Sequence, residues 1–259
     1  MGVLRVKAGA LGATRIQRLH HAGALKLIFP KTHRPDLEAT LVNTGGGLTG
    51  GDRFSLISHV AEGAHLSLTT QAAERAYRAQ PAERARLRTE ISVAANATLF
   101  WLPQELILYD HAALDRRLEI TLAPEARLLM VEPMVFGRAA MGETVRHLHF
   151  TDRITIRRGG EPLYCDGVDI HGDAHRILNG PATARRARAM ASVVIVAPQA
   201  ATHLTALRAL LPATGGASML ARDVLVMRLL AADSFELRRS LIPILDRLTD
   251  NRLPLSWRL

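Results

Sequence analysis

The stretch RFSLISHV, residues Arg53–Val60, sets the pattern that most of the chain follows. Successive side chains of an extended strand point to opposite faces, so Phe54, Leu56 and Val60 share one face. A turn signal that contains Gly63 follows directly. The stretch therefore predicts a short β-strand with one buried face.

The same alternation returns about every ten residues, with turn-forming residues between the repeats. Further strands are predicted at residues 66–70, 87–93, 116–122, 126–131, 144–150 and 153–157. Short strands at this spacing are typical of an all-β sandwich or a coiled sheet.

The C-terminal third has a different pattern. Residues 190–196 form an apolar run that predicts a buried strand, and residues 223–230 predict another. Residues 202–211 and Ser234–Leu248 have helical spacing, with Phe235 among the apolar positions of the second helix. Pro243 is expected to kink or split that helix.

We therefore predict a mainly β protein, a single β-rich domain over residues 1–259 with two α-helices, mostly C-terminal.

Composition excludes several protein classes. The chain has 259 residues, 48% of them hydrophobic, which is enough to bury a full core. Cys165 is the single cysteine, so neither an intrachain disulfide nor a Cys-rich zinc fold is possible, and we expect it to be a small buried hydrophobe. The sequence has no 18-residue apolar run and no apolar stretch typical of a secretory signal, so we expect a cytoplasmic protein without a membrane span.

The formal net charge is +9, and thirty of the 33 basic residues are arginines. This excess has three interpretations: a coding bias, an acidic protein partner, or nucleic acid. Aromatic residues make up only 4% of the chain, and no stacking motif or recognition helix is visible, which disfavours nucleic acid.

A glycine-rich segment at residues 43–52 satisfies G-x-G-x-x-G. A dinucleotide site needs a helix after these glycines, but a strand pattern follows, and Asp52 would repel phosphate. The segment is instead interpreted as a close crossing of strands, or as a loop that holds Asp52 in place.

Two histidine pairs have spacings that metal sites use: His147 with His149, and His171 with His175. Either pair suits a divalent ion such as nickel, but no third ligand is fixed by the sequence. A standalone histidine-based nickel-binding protein therefore stays open as an alternative, as does an arginine-rich nucleic-acid binder.

Three acids stand beside apolar runs or glycines: Asp52, Glu132 and Asp166. A buried carboxylate is costly without a partner. Each acid is therefore expected either to pair with an arginine or to face a water-filled interior where it attracts a cation.

Five segments, in order, resemble the UreD family of urease accessory proteins, called UreH in some organisms. They include the glycine-rich segment, the Trp101-Leu102-Pro103-Gln104-Glu105 motif and a Pro-x-x-Trp ending. The five segments are residues 41–52, 69–78, 101–110, 136–143 and 254–257.

The resemblance implies a β-rich stack of helically arranged strands with two helices, and a non-enzymatic scaffold for urease maturation. The implied partners are urease apoprotein, UreF and, through UreF, the GTPase UreG, with a possible dimer within that complex; nucleic acid and membrane are not expected. No tightly bound cofactor is implied, only nickel in transit through an internal tunnel. The tunnel carboxylates of the family correspond to Asp52, Glu132 and Asp166.

Overall fold

A computed structural model describes residues 1–9 and 12–258. Within these residues the protein is mainly β, as predicted, with seventeen strands and three α-helices. The strands are β1 (Gly2–Ala8), β2 (Thr14–His21), β3 (Leu25–Ile28), β4 (Leu37–Asn43), β5 (Arg53–Val60), β6 (His65–Thr70), β7 (Glu74–Ala76), β8 (Ala85–Val93), β9 (Thr98–Leu102), β10 (Leu106–Leu108), β11 (Ala113–Leu122), β12 (Arg127–Phe136), β13 (Leu148–Arg158), β14 (Glu161–Gly172), β15 (Ala189–Val196), β16 (Gly215–Ala221) and β17 (Val224–Ala231). The helices are α1 (Ala174–Leu178), α2 (Ala200–Leu210) and α3 (Ser234–Leu248).

The strands form two sheets that the chain visits in turn. From β4 to β13 successive strands alternate between the sheets, apart from the short β7 and β10. Strands β5, β8, β11 and β13 are parallel neighbours in the first sheet, and β4, β6, β9 and β12 are parallel neighbours in the second. The chain therefore winds in stacked coils, which confirms the expected arrangement of strands.

Antiparallel strands continue the sheets beyond these coils. In the first sheet β14 pairs with β13 at one edge and β2 pairs with β1 at the other. In the second sheet β15, β17 and β16 follow β12, while β3 pairs with β4. The short β10 pairs with β7 and with the last residues of β12.

The main core lies between the two sheets, and a second core lies between the second sheet and the helices. In β12, Leu128 and Met130 face the first core while Leu129 and Val131 face the second. Nine of its ten residues are buried for this reason, whereas β11 alternates between buried and accessible positions. Glu132 shares the inner face with Leu128 and Met130, because their positions differ by two and four.

Helix α3 covers the second sheet with Leu237, Leu241, Ile244 and Leu245. Of the two outcomes expected at Pro243, a split helix is excluded, and the position expected for Phe235 was wrong. Pro243 does not split it, because the proline lies on the exposed face, where water can satisfy the carbonyl that loses its hydrogen bond. Phe235 is 70% exposed and does not belong to the packed stripe. Among the described residues, none of the helices combines the length and the apolar character that a membrane span requires.

Three further details differ from the sequence-based predictions. Residues 144–150 and 153–157 do not form separate strands, because β13 runs unbroken from Leu148 to Arg158. The short α1 was not predicted; its N-cap is Asp173, which accepts a hydrogen bond from Arg176 N. Cys165 is exposed, since it lies on the outer face of β14.

Candidate functional site

A cluster of three charged side chains joins the two sheets in the interior. Arg116 of β11 donates to Asp152 of β13 through Nε, at 2.9 Å, and through Nη2, at 2.7 Å. Its Nη1 lies 2.6 Å from Oε2 of Glu132, on β12 of the opposite sheet. The side chains of Arg116, Glu132 and Asp152 are 10%, 3% and 1% exposed. A single guanidinium therefore holds one carboxylate from each sheet away from water.

The second oxygen of Glu132 is also occupied. Trp101 of β9 donates its Nε1–H to Oε1 of Glu132 at 2.5 Å. Both carboxylate oxygens thus accept a hydrogen bond, which a buried carboxylate needs. Glu132 is one of the predicted site residues. Of the two alternatives expected for it, an arginine partner and a water-filled interior, the structure shows the arginine partner.

The charges of this cluster do not balance when all three groups are ionised, because two carboxylates share one guanidinium. Burial raises the pKa of Glu132; the Arg116 charge opposes this shift and the Asp152 charge adds to it. Burial also opposes the charged form of Arg116, but Asp152 and Glu132 overcome it and raise the pKa of the guanidinium. The cluster therefore favours taking up one further positive charge, either a proton or a cation.

A small cavity of about 60 Å³ adjoins this cluster between the sheets. Its polar lining includes Thr70, Glu74 and Thr89, beside Arg116 and Glu132. A more open pocket of about 200 Å³ adjoins this cavity. The cavity and the pocket share four lining residues: Leu25, Leu41, Thr70 and Glu74. The pocket continues to Asn43 and Gly46 in the glycine-rich segment.

Glu74 stands where the pocket and the cavity meet. Its Oε1 accepts a hydrogen bond from Asn43 Nδ2 at 2.9 Å. Burial raises the pKa of Glu74; the Asn43 hydrogen bond opposes this shift, and the charge of Asp52 adds a smaller rise. A half-buried carboxylate therefore lies between the surface and the Arg116 cluster.

Asp166 forms a second polar cluster on the other side of Glu132. It is paired with Arg228, and it accepts hydrogen bonds from Tyr164 Oη at 2.9 Å and Ser192 Oγ at 3.2 Å. Burial raises the pKa of Asp166, but the Arg228 hydrogen bond and charge outweigh it, and the pKa is lowered overall.

Ser192 connects the two clusters. In the second sheet it lies directly opposite Glu132 of β12 on one side and opposite Arg228 of β17 on the other. Directly opposed residues of antiparallel strands share a face, so all three lie on the same face of the second sheet. The polar residues therefore form a row that is adjacent in register from Glu132 through Ser192 to the Asp166–Arg228 pair, where the Arg228 side chain is 47% exposed.

Asp52 does not join this row. Its Oδ2 accepts a hydrogen bond from Thr49 N at 2.8 Å, and its carbonyl accepts one from Arg86 N. The carboxylate thus closes the turn at the end of the glycine-rich segment. The three predicted site residues therefore divide: Glu132 and Asp166 share the interior row, while Asp52 lies near the pocket and acts on Glu74 through its charge.

The glycine-rich segment is the close crossing that the sequence predicted. Leu48 bridges Ala76 of β7, and Leu48 N donates to Arg75 O at 2.7 Å. A Cβ built on Gly47 would lie 2.3 Å from Cε2 of Tyr77, so only glycine allows this approach.

The histidines that were paired by spacing separate in the structure. His147 precedes β13 and stacks on His111, whereas His149 contacts His171, with 3.2 Å between their Nδ1 atoms. His175 lies in α1, where Arg188 Nη2 is 2.6 Å from Nδ1 and Asn179 Nδ2 is 2.9 Å from Nε2. The four residues therefore do not share one site.

Sequence reasoning missed Arg116, Asp152, Trp101 and Glu74 as parts of the site. A signal for two of them was present: Arg116 and Asp152 occupy inward positions of alternating strands, between Leu114 and Leu118 and between Phe150 and Ile154. A charged residue at an inward position indicates a buried pair.

A family model described as UreD urease accessory protein matches residues 1–258. The chain belongs to the UreD family. The match includes residues 1–35, where the motifs gave no resemblance.

Curated relatives agree with this assignment, and each is named Urease accessory protein UreD. The relative from Roseobacter denitrificans is 54% identical over 248 residues, which is 96% of this chain and 90% of the relative. The relative from Ruegeria pomeroyi is 50% identical over 93% of this chain and 94% of its own length. The relative from Brucella suis is 42% identical over 95% of this chain and 89% of its own length. Membership of the UreD family implies a role in urease maturation.

Proposed function

We propose that this UreD family member is a scaffold that binds apo-urease and UreF, and through UreF the GTPase UreG, and conducts nickel into the urease active site without catalysing a reaction of its own. The family assignment supports the role in maturation. The observation that supports conduction is the interior row of polar groups, which adjoins a cavity at Glu132 and reaches the surface region at Asp166 and Arg228.

A dication that leaves water loses a large hydration energy, so an apolar bore would exclude it. Spaced carboxylates and room for water lower this barrier, provided that each site releases the ion again. The interior row supplies spaced carboxylates, and the small cavity beside it supplies room for water. Its acids occur singly or share an arginine, and among the described residues that line the cavity there is no histidine or cysteine that would bind a borderline ion tightly.

The charge of the Arg116 cluster gives Glu132 a specific role in this proposal. Two carboxylates with one guanidinium carry one excess negative charge, which burial makes costly. A passing nickel ion would compensate this charge while Arg116 keeps the attraction weak. Glu132 is therefore the central step of the path, and Glu74 and Asp166 stand toward its two ends.

Asp52 has an indirect role. Its carboxylate is engaged by Thr49 N, and its charge acts on Glu74, which borders the pocket. In the proposed path it contributes an attractive field at the glycine-rich end and fixes the turn that shapes this end.

The test is the nickel content of urease purified from cells that contain the other accessory proteins and either the wild-type chain or Glu132→Gln. Glutamine keeps the size of the side chain and an acceptor for Trp101, but it removes the charge. We expect less nickel and lower urease activity, with unchanged copurification of the partner proteins. Glu119→Gln, on the exposed face of β11 in the first sheet, is the matched control and is expected to load urease fully.

Full nickel content with Glu132→Gln would refute the path through this residue. Loss of the partner proteins from the Glu132→Gln complex would also refute it, because the acid would then serve structure and assembly.

A further inference from the structure

A second group of donor atoms lies on the surface, outside the polar row. It is formed by Asp110 and His111, between β10 and β11, and by His147, just before β13. Donor atoms of these three residues lie within 4.8 Å of one another.

The two loops that carry these residues are tied together by their backbones. His111 N donates to His147 O at 2.6 Å. The Oδ1 atom of Asp110 accepts from Arg146 N and His147 N, both at 2.8 Å. One oxygen of Asp110 therefore fixes the carboxylate, and the other, Oδ2, lies 3.4 Å from His111 Nε2.

The two imidazoles stand side by side next to this carboxylate. Their ring centroids are 4.4 Å apart with planes 14° from parallel, and His147 Nδ1 lies 3.8 Å from Asp110 Oδ1. Metal–ligand bonds of roughly 2.0–2.2 Å place donors about 3–3.5 Å apart around one ion. Small rotations of the exposed imidazoles are therefore enough to bring the three donors around a cation.

The backbone of His111 supports a specific placement of this ring. Its φ is 63°, in the left-handed region, which non-glycine residues adopt uncommonly. The hydrogen bond from His111 N to His147 O holds the residue in this conformation, which brings its side chain beside that of His147.

The site is open on one side. The side chains of Asp110, His111 and His147 are 27%, 40% and 63% exposed. A pocket of about 390 Å³ beside them is lined by His111 and His147, together with Glu83, Arg78 and Arg84. The positive charges of the two arginines offset the attraction of Asp110 for a cation, so binding depends on coordination by the three donor atoms. Water, or a donor from another protein, can complete the coordination through the open side.

We propose that Asp110, His111 and His147 bind one divalent first-row transition-metal ion, of which Ni²⁺ is the probe of choice. Two imidazole nitrogens and one carboxylate oxygen suit nickel, zinc or copper and do not suit magnesium or calcium. The site is separate from the polar row, and it requires no passage of nickel through the interior.

The test is Ni²⁺ binding to the full chain, purified without a histidine tag and measured by equilibrium dialysis with metal analysis. We expect His111→Asn and His147→Gln each to lose one bound equivalent, or to weaken its binding at least tenfold. Asparagine tolerates the left-handed backbone at residue 111, so this variant keeps the loop intact. His171→Gln is the matched control, because His171 contacts His149 and Asp169 on the adjacent strands and we expect it to bind as the wild type does.

A measurement on the wild-type chain makes the outcome independent of folding in the variants. Histidine modification by diethyl pyrocarbonate, followed by mass spectrometry, should show Ni²⁺ protection of His111 and His147 and little change at His171. Equal nickel binding in all variants, protection confined to His149 and His171, or no protection at all would overturn the proposal. These results are distinct from a failure of Glu132→Gln to alter urease loading, because they concern binding of the metal alone.

Discussion

Arg116 of the first sheet reaches across the interior to Glu132 of the second, with 2.6 Å between Nη1 and Oε2. The same guanidinium binds Asp152 on the neighbouring strand of its own sheet. The side chain therefore acts as a cross-link between the sheets as well as a counter-charge.

Replacing Arg116 with leucine should destabilise the protein strongly, since two buried carboxylates would lose their partner. Breaking a buried ion pair on one side costs about 3–5 kcal/mol. Urea denaturation measures the free energy of unfolding. Arg117→Leu, on the same strand with a side chain that is 54% exposed, is the control and should change this free energy by less than about 0.5 kcal/mol. Equal effects of the two substitutions would contradict the cross-link.

Glu132 should make stability fall as pH rises. Burial raises its pKa in the folded protein above the value of the unfolded chain, so the folded state binds the proton more tightly. Between these two pKa values, deprotonation destabilises the folded state. Glu132→Gln removes this slope, and urea unfolding between about pH 4 and pH 8 measures it. Parallel pH profiles for wild type and Glu132→Gln would show that the carboxylate carries no such shift.

Asp166 should have the opposite effect. Burial raises the pKa of Asp166 in the folded state, but Arg228 lowers it by more, so the folded-state pKa lies below that of the unfolded chain. Ionised Asp166 therefore stabilises the protein at pH values above the pKa of the unfolded chain. This contribution is lost as the pH falls through the lower pKa of the folded state. We expect Asp166→Asn to cost about 1 kcal/mol at pH 7, a small value because Arg228 is partly exposed to screening solvent. The gap between wild type and variant should close below about pH 4. A gap that stays constant down to pH 3 would contradict the pairing.

Gly47 should not tolerate a side chain. An added Cβ would lie 2.3 Å from the Tyr77 ring and 2.6 Å from Arg75 O, so Gly47→Ala must displace backbone as well as a side chain. We expect a loss of about 1–3 kcal/mol in the free energy of unfolding. Gly216→Ala, where an added Cβ meets nothing within 4 Å, is the control and should be close to neutral. A neutral Gly47→Ala would show that the crossing is loose.

Regular periodicity made the fold predictable. Strand β5 and helix α3 have the bounds that the sequence indicated, because alternation and helical spacing are local signals. The short strands β7 and β10 carry only three residues each, too few for a period to show. Their conformation depends on pairing with strands that are distant in sequence, since β10 pairs with β12 and β7 pairs with β10.

The candidate site was only partly predictable for a related reason. Glu132 and Asp166 stood out because an acid beside an apolar run is unusual. Arg116 is one of thirty arginines, and although its inward position in β11 indicates burial, nothing local shows which acids it pairs with. The group of Asp110, His111 and His147 joins two loops that are distant in sequence. The hydrogen bond from Arg146 N to Asp110 Oδ1, for example, links residues that are 36 positions apart. Spacing had grouped His147 with His149 instead, and only the tertiary structure shows the other partner.

The coiled winding of the strands also has a kinetic consequence. Arg53 pairs with Arg86, and Leu87 pairs with Arg116, so roughly thirty residues must be ordered before each new parallel pair can form. Contacts of this range close large loops, and proteins rich in them fold slowly. Until the next coil has formed, the edge strand of the preceding coil has unpaired backbone groups and can associate with other chains. Slow formation of each coil therefore exposes this chain to aggregation while it folds.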